Sequence, residues 1–322
     1  MCAQAVGLDE TLRREIDFWR RKRNAVILAH FYQRPEVQEI ADFVGDSLQL
    51  AQQAARLQAE VAVVCGVHFM AESVSLLCPQ AAVLLPDEKA GCPLADTVTA
   101  GDLRRQKEEN PQALIVSYIN TSAAVKAASD ICCTSSNAAE VVKSLPPERE
   151  VIFVPDKNLG NWVQRQTGRQ IKVWEGFCGV HAHLTREEVL ARKALFPEAK
   201  VLVHPECAPE VTELADGVFS TAGILRQAQL SDAHSFIIGT EEGLLYQLRK
   251  HCPGKKFYLA SEKLVCEEMK RITLEKVLEA LKTLSPRIEV PEGIAKGAKA
   301  ALDRMLALGK GWTPASEPAE RG

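Results

Sequence analysis

The chain has 322 residues, 46% hydrophobic and 25% charged, a globular composition that excludes a disordered, collagenous or coiled-coil chain. Its 39 Lys and Arg against 42 Asp and Glu give a formal net charge of −3, so no general nucleic-acid binder is expected. Ten cysteines are too few for a disulfide scaffold and invite a search for metal or catalytic positions.

Residues 1–23 predict an amphipathic N-terminal helix. Its segment TLRREIDFWRRKR (11–23) is charged throughout and lacks the apolar region of a signal peptide. The strongest apolar runs, AVILAHF (25–31) and VAVVCGV (61–67), fall far short of the ~20 residues that cross a bilayer, so no membrane partner is expected. The expected setting is cytoplasmic, where thiols stay reduced.

Three segments then repeat without gaps: HFYQRPEVQEIADFVGDS (30–47), YINTSAAVKAASDICCTS (118–135) and HPECAPEVTELADGVFST (204–221). Asp42, Asp130 and Asp216 align at offsets of 88 and 86, as do Val37, Val125 and Val211. After each segment an amphipathic stretch, an apolar run, a second amphipathic stretch and a second apolar run follow. Each unit therefore reads β-α-β-α-β-α-β with parallel strands. First strands are expected at 25–30, 113–118 and 200–204, and second strands near 42–46, 130–134 and 216–220. The fold class is α/β: three similar small three-layer sandwich domains around a pseudo-threefold axis, with the active site at the centre. The expected divisions are 24–105, 106–195 and 196–273. Residues 274–322 complete the chain with helices broken by Pro286 and Pro291, and a tail from Pro314 of loop composition.

Ligands of open parallel sheets bind beyond the carboxyl ends of the strands. There the register aligns His30, Tyr118 and His204, then Tyr32, Asn120 and Glu206 two residues later. After the second strands it aligns Ser47, Ser135 and Thr221, and after the fourth strands Cys92, Cys178 and Cys266. One such cysteine reads as core packing. Three in register read as thiolates converging on a metal. Three thiolates suit a [4Fe–4S] cluster with one iron free to act as a Lewis acid; a catalytic zinc with a water in its fourth position is the alternative. The hydroxyls read as three helix N-caps, as an anion site at helix N-termini, or as both. The strand-end histidines, Tyr32 and Glu206 supply general acids and bases. Weaker candidates are His68, Phe69 and Met70, the segment 155–162, and His181, which either supports Cys178 or is plain loop. Cys132 and Cys133 read as strand packing.

The segments AHFYQRPEVQEIADFVGDS, DEKAGCPLADTV, VSYINTSAAVKAASD, VPDKNLGNWV, WEGFCGVHAHLT, VHPECAPEV and STAGI, with the region of Cys266, resemble the quinolinate synthase A family of de novo NAD biosynthesis. The resemblance covers about residues 20–285. It implies a [4Fe–4S] cluster on Cys92, Cys178 and Cys266, and condensation of iminoaspartate with dihydroxyacetone phosphate to quinolinate, phosphate and two waters. It implies substrate ligands at His30, Ser47, Tyr118, Asn120, Ser135, His204, Glu206 and Thr221, and proton transfer by Tyr32. It also implies an upstream aspartate oxidase or dehydrogenase. Some members carry CxxCxxC around the third ligand; here Glu267, Glu268 and Met269 follow Cys266, so no such triplet exists. Two other readings of the residues are a zinc-dependent lyase or aldolase-type enzyme and a non-catalytic iron–sulfur redox sensor.

Overall fold

The computed structural model describes residues 2–308, with side chains from Glu10 onward. The tail from Pro314 lies outside the described residues.

Twelve strands among the described residues form three four-stranded sheets. The first holds β1 (Ala25–His30), β2 (Phe43–Gly45), β3 (Val61–Cys65) and β4 (Ala82–Leu84). The second holds β5 (Leu114–Tyr118), β6 (Ile131–Cys133), β7 (Val151–Val154) and β8 (Ile171–Val173). The third holds β9 (Lys200–Val203), β10 (Gly217–Val218), β11 (Ser235–Gly239) and β12 (Lys256–Leu259). Every sheet is parallel and runs second-first-third-fourth, the same order three times. Central strands such as β3 are buried along their whole length, as parallel strands covered by helices on both faces must be.

The aligned aspartates explain themselves in this frame. Asp42 Oδ2 accepts the Ile27 amide at 2.8 Å while the Asp42 amide donates to Ile27 O at 2.9 Å. Asp130 does the same with Ile115, and Asp216 with Val201, each side chain at 2.8 Å. Each aspartate latches a two- or three-residue edge strand onto the first strand. Without that latch such short strands would add little pairing energy of their own. The aligned valines Val37, Val125 and Val211 are completely buried residues of the short helices Pro35–Ile40, Ala123–Ala127 and Pro209–Thr212.

The N-terminal helix Cys2–Lys22 packs on the helix Leu274–Thr283. The chain then breaks at Pro286 and Pro291, and the helix Glu292–Ala307 packs on the helix Ala123–Ala127 and on β6. Gly297 permits this close approach, since a Cβ there would meet Ala127 O at 3.1 Å. One hydrophobic core runs through the first sheet, one face of the second and the terminal helices; the other face of the second sheet and the two faces of the third carry separate clusters.

Candidate active site

The strand ends of all three sheets face one cavity of about 370 Å³. It is lined by all twelve residues singled out from the register: His30, Tyr32, Ser47, Cys92, Tyr118, Asn120, Ser135, Cys178, His204, Glu206, Thr221 and Cys266. His30 closes β1, Tyr118 closes β5, and His204 follows β9 directly. The turns after the second strands also meet. Ser136 Oγ lies 2.8 Å from Asp46 Oδ2 and 2.8 Å from Ser220 Oγ, which ties the three units together at that point.

The hydroxyls do not cap their helices. Asp46 caps the helix Ser47–Ala54 by accepting the Gln49 amide, and Ser220 caps Thr221–Leu230 by accepting the Gly223 amide. In the second unit Asn137 stands at the cap of Ala138–Ser144, two residues beyond Ser135. The capping duty falls one residue earlier than expected in two units, because Asp46 and Ser220 hold the extended backbone a cap requires. Ser47 and Thr221 therefore occupy the first turns at the positive ends of the helix dipoles, where Asp46 already accepts the Leu48, Gln49 and Ala222 amides.

A directed hydrogen-bond chain crosses the cavity floor. The Glu206 carboxylate Oε2 lies 2.7 Å from His181 Nδ1, so that nitrogen carries the proton. His181 Nε2 then accepts from Thr240 Oγ1 at 2.8 Å, and Thr240 Oγ1 accepts from the Tyr32 hydroxyl at 2.7 Å. Thr221 Oγ1 completes the chain 2.8 Å from the same hydroxyl. Burial, reinforced by Glu206, pushes the Tyr32 and Tyr118 phenols well above their ordinary range, so both stay protonated donors. Burial also opposes ionisation of Glu206, but the neighbouring His204 and His181 outweigh it and hold the carboxyl below its ordinary value.

The strand-end histidines share one device. His30 Nδ1 accepts the Tyr32 amide at 3.2 Å, and His204 Nδ1 accepts the Glu206 amide at 3.3 Å. Each therefore carries its proton on Nε2, and that of His204 faces Ser135 Oγ at 3.2 Å. Burial drives both imidazoles down to about 3, so they are neutral at physiological pH.

The three cysteines are free thiols of intermediate exposure. Burial raises Cys92 to about 12, Cys266 to about 11 and Cys178 well above its ordinary value. Cys92 is raised further by Cys266, and Cys178 by Cys92, so the sulfurs lie within electrostatic reach of one another. A carboxylate stands behind each. Cys178 N–H donates to Asp156 Oδ2 at 2.9 Å and Cys266 N–H to Glu241 Oε1 at 3.1 Å. Beside Cys92, Gly91 N–H donates to Glu268 Oε2 at 3.0 Å. Leu28, Val116 and Leu202 pair with Val64, Phe153 and Ile238, so Val67, Asp156 and Glu241 are equivalent, three residues further on. The first unit has a valine where the others have the carboxylate, and Glu268 crosses from beyond Cys266 to serve instead.

Phe69 and Met70 line the cavity, but His68 does not; its side chain is 48% exposed beside Glu72. As the first residue of the helix His68–Leu77 it points away while the next two residues turn inward. The segment 155–162 backs the wall rather than lining it. Asp156 holds Cys178, and Asn158 Nδ2 donates to Glu206 O at 3.0 Å. His181, left open between support and loop, is buried in the middle of the hydrogen-bond chain. Thr240, Glu241 and Lys270 escaped the sequence reading. Lys270 Nζ bonds Glu241 Oε1 at 2.8 Å and Tyr32 O at 2.7 Å, joining a cysteine loop to the tyrosine. Register would have exposed Glu241 and Asp156 as an aligned acidic pair; Lys270 has no equivalent and left no signal.

The family model described as quinolinate synthetase A protein matches residues 14–307. The chain is 55% identical over 303 residues to the quinolinate synthase of Desulforudis audaxviator, covering 94% of this chain and 100% of the relative. It is 56% identical over 287 residues to that of Methanosarcina barkeri, covering 89% and 94%. It is 53% identical over 299 residues to that of Geobacter metallireducens, covering 93% and 98%. With such identity running the length of both partners, and the family model spanning all three sheets, this chain belongs to the quinolinate synthase family.

Proposed function

We propose that this chain condenses iminoaspartate with dihydroxyacetone phosphate to quinolinate, phosphate and two waters, within NAD biosynthesis, with the imine supplied by an aspartate oxidase or dehydrogenase. We read residues 24–105, 106–195 and 196–273 as three units about a pseudo-threefold axis. The observation that carries the reading is a single cavity receiving one cysteine and a matched set of polar side chains from each unit.

The donor set fits an iron–sulfur cluster. Thiols raised this far need positive charge beside them before they ionise, and iron supplies it. A lone tetrahedral ion with Zn–S bonds near 2.3 Å wants its sulfurs ~4 Å apart. Among the described residues the three cysteine sulfurs are not a set within 4.8 Å, so they frame something wider than one ion. Cys92, Cys178 and Cys266 would hold the [4Fe–4S] cluster, which when bound supplies a Lewis-acid iron for the final dehydration.

The remaining work belongs to this chain's own residues. The Ser47 and Thr221 hydroxyls, at the starts of their helices beside Asp46, donate to phosphate or carboxylate oxygens. Tyr32 delivers or takes a proton at its hydroxyl, and the Thr240–His181–Glu206 chain carries the compensating proton. Tyr118 and the Nε2–H groups of His30 and His204 donate to substrate oxygens. Asn120 Oδ1 and Glu206 Oε1 are buried without hydrogen-bond partners and await polar groups of a ligand. Phe69, Met70 and Leu94 exclude water while the imine survives.

The test is anaerobic reconstitution, iron analysis and quinolinate assay. About four irons per chain and quinolinate formation are expected, both lost in Cys178→Ala. A colourless, iron-free Cys178→Ala enzyme that still makes quinolinate overturns the reading.

A further inference from the structure

We infer that, in the chain without its cluster, Cys178 Sγ, His181 Nδ1 and Glu206 Oε2 form a binding site for one borderline divalent transition-metal ion, Zn²⁺ above all. These three atoms all lie within 4.8 Å of one another. His181 Nδ1 is 3.3 Å from Cys178 Sγ and 2.7 Å from Glu206 Oε2. Cys178 precedes the helical turn Gly179–Ala182, so Cys178 and His181 project from one turn, while Glu206 approaches from the third unit. Glu206 Oε1, buried and without a hydrogen-bond partner, leaves the carboxylate a second oxygen free for the ion.

Metal–ligand bonds of about 2.0–2.3 Å put tetrahedral donor pairs ~3.3–3.7 Å apart. The nitrogen–sulfur spacing already matches. The nitrogen–oxygen spacing must open by about half an ångström, which the pivot between the two Glu206 oxygens allows. Two of the ligands are braced from behind, as metal ligands generally are. Asp156 Oδ2 holds the Cys178 amide at 2.9 Å, and Thr240 Oγ1 meets His181 Nε2 at 2.8 Å. With the ion on Nδ1 the imidazole proton moves to Nε2 and donates to Thr240, and the Cys178 thiol releases its proton to solvent. One sulfur, one nitrogen and one carboxylate suit zinc and its neighbours; magnesium and calcium prefer all-oxygen sites. The fourth position opens to the cavity and takes a water.

This site shares only Cys178 with the proposed cluster, and the inference rests on that reading for one point alone: ion and cluster exclude each other. A chain that has lost its iron would be captured by zinc with Glu206 and His181 both occupied, and so held inactive.

The test strips the full-length protein of iron with a chelator under nitrogen and titrates it with Co²⁺, then Zn²⁺. One Co²⁺ per chain is expected, with tetrahedral d–d bands and thiolate-to-cobalt charge transfer, displaced by Zn²⁺. Cys92→Ala, which removes one of the three pocket cysteines, binds Co²⁺ as the parent does. His181→Ala and Glu206→Gln each weaken Co²⁺ at least ~10-fold, while His181→Ala still takes up about four irons on reconstitution. Loss of Co²⁺ in Cys92→Ala, or parent-like affinity in both His181→Ala and Glu206→Gln, overturns the inference and assigns the ion to the cysteine trio. Should no variant or parent take up four irons, the cluster reading fails and the cobalt result stands by itself.

Discussion

Lowering the pH should destabilise this protein through His30 and His204 before Glu206 titrates, while the buried Asp46, Asp156 and Glu241 carboxyls, raised by burial, shift stability the opposite way as they take up protons. Both imidazoles are buried and held near 3, chiefly by burial. Glu206 pulls both upward, but Lys270 opposes this at His30, and His181 and His30 oppose it at His204. At His30 geometry points the same way: Nδ1 already accepts the Tyr32 amide at 3.2 Å, and a proton there would face another proton. His204 Nδ1 accepts the Glu206 amide at 3.3 Å but also lies 3.5 Å from Glu206 Oε2, so there burial, aided by His181 and His30, carries the shift. In the unfolded chain a histidine titrates near ~6.5. With the folded value depressed, the unfolded state binds more protons below that point. Their contribution is complete above ~6.5 and is lost progressively as pH falls toward 3. At about pH 5.5 each histidine costs roughly 1–2 kcal/mol relative to about pH 7.5, so the pair costs ~3 kcal/mol. Glu206, lowered from 4.5 to about 2, adds its own loss only at more acid pH. Urea unfolding of the iron-free chain, followed by circular dichroism at the two pH values, measures the effect. His30→Gln should remove about half of the acid shift in midpoint, and His30→Gln with His204→Gln most of it. An unchanged acid shift in the double variant would refute the argument.

Tyr32→Phe deletes the hydroxyl that meets Thr221 at 2.8 Å and Thr240 at 2.7 Å. Turnover should fall ~10²–10⁴-fold while the melting midpoint moves little; full turnover would remove Tyr32 from proton transfer. Asp216→Ala should cost ~1–3 kcal/mol by orphaning the Val201 amide, and hydrogen exchange should quicken at that amide and along β10. On the proposed function, chelating iron from the loaded enzyme should abolish quinolinate formation yet leave the helical circular dichroism intact, since the sheets and helices close on extensive hydrophobic cores of their own. Residual synthesis at iron-free protein would contradict the assigned cofactor chemistry.

The triplicated architecture was legible because each unit had to solve the same packing problem with the same residues. A buried valine on the first helix and an aspartate latching the edge strand recur at fixed offsets, and they announce strand positions to within a residue or two. The cavity lining followed from the same register, since equivalent strand ends must face one centre if any do. What escaped the reading breaks the repeat. Lys270 reaches Tyr32 O from the end of the short helix Glu267–Lys270, and the matching turn Gly179–Ala182 after Cys178 ends in an alanine there. Thr240 aligns with Gly66 and Pro155 and shows no pattern, although it is the middle member of the hydrogen-bond chain. The cap assignments failed because Asp46 and Ser220 compete with Ser47 and Thr221 for the same duty, and only backbone angles decide between neighbours.

Val67 leaves the first unit unable to tether its own sulfur-bearing turn. Glu268 does so from the far side, on the stretch that also carries Cys266. Two of the three sulfurs are thus moored to one short piece of backbone. Parting the third sheet from the first would break the Glu268 mooring at Gly91 and leave Cys266 held by Glu241, so on the proposed function any opening of the cavity loosens the grip on Cys92 first.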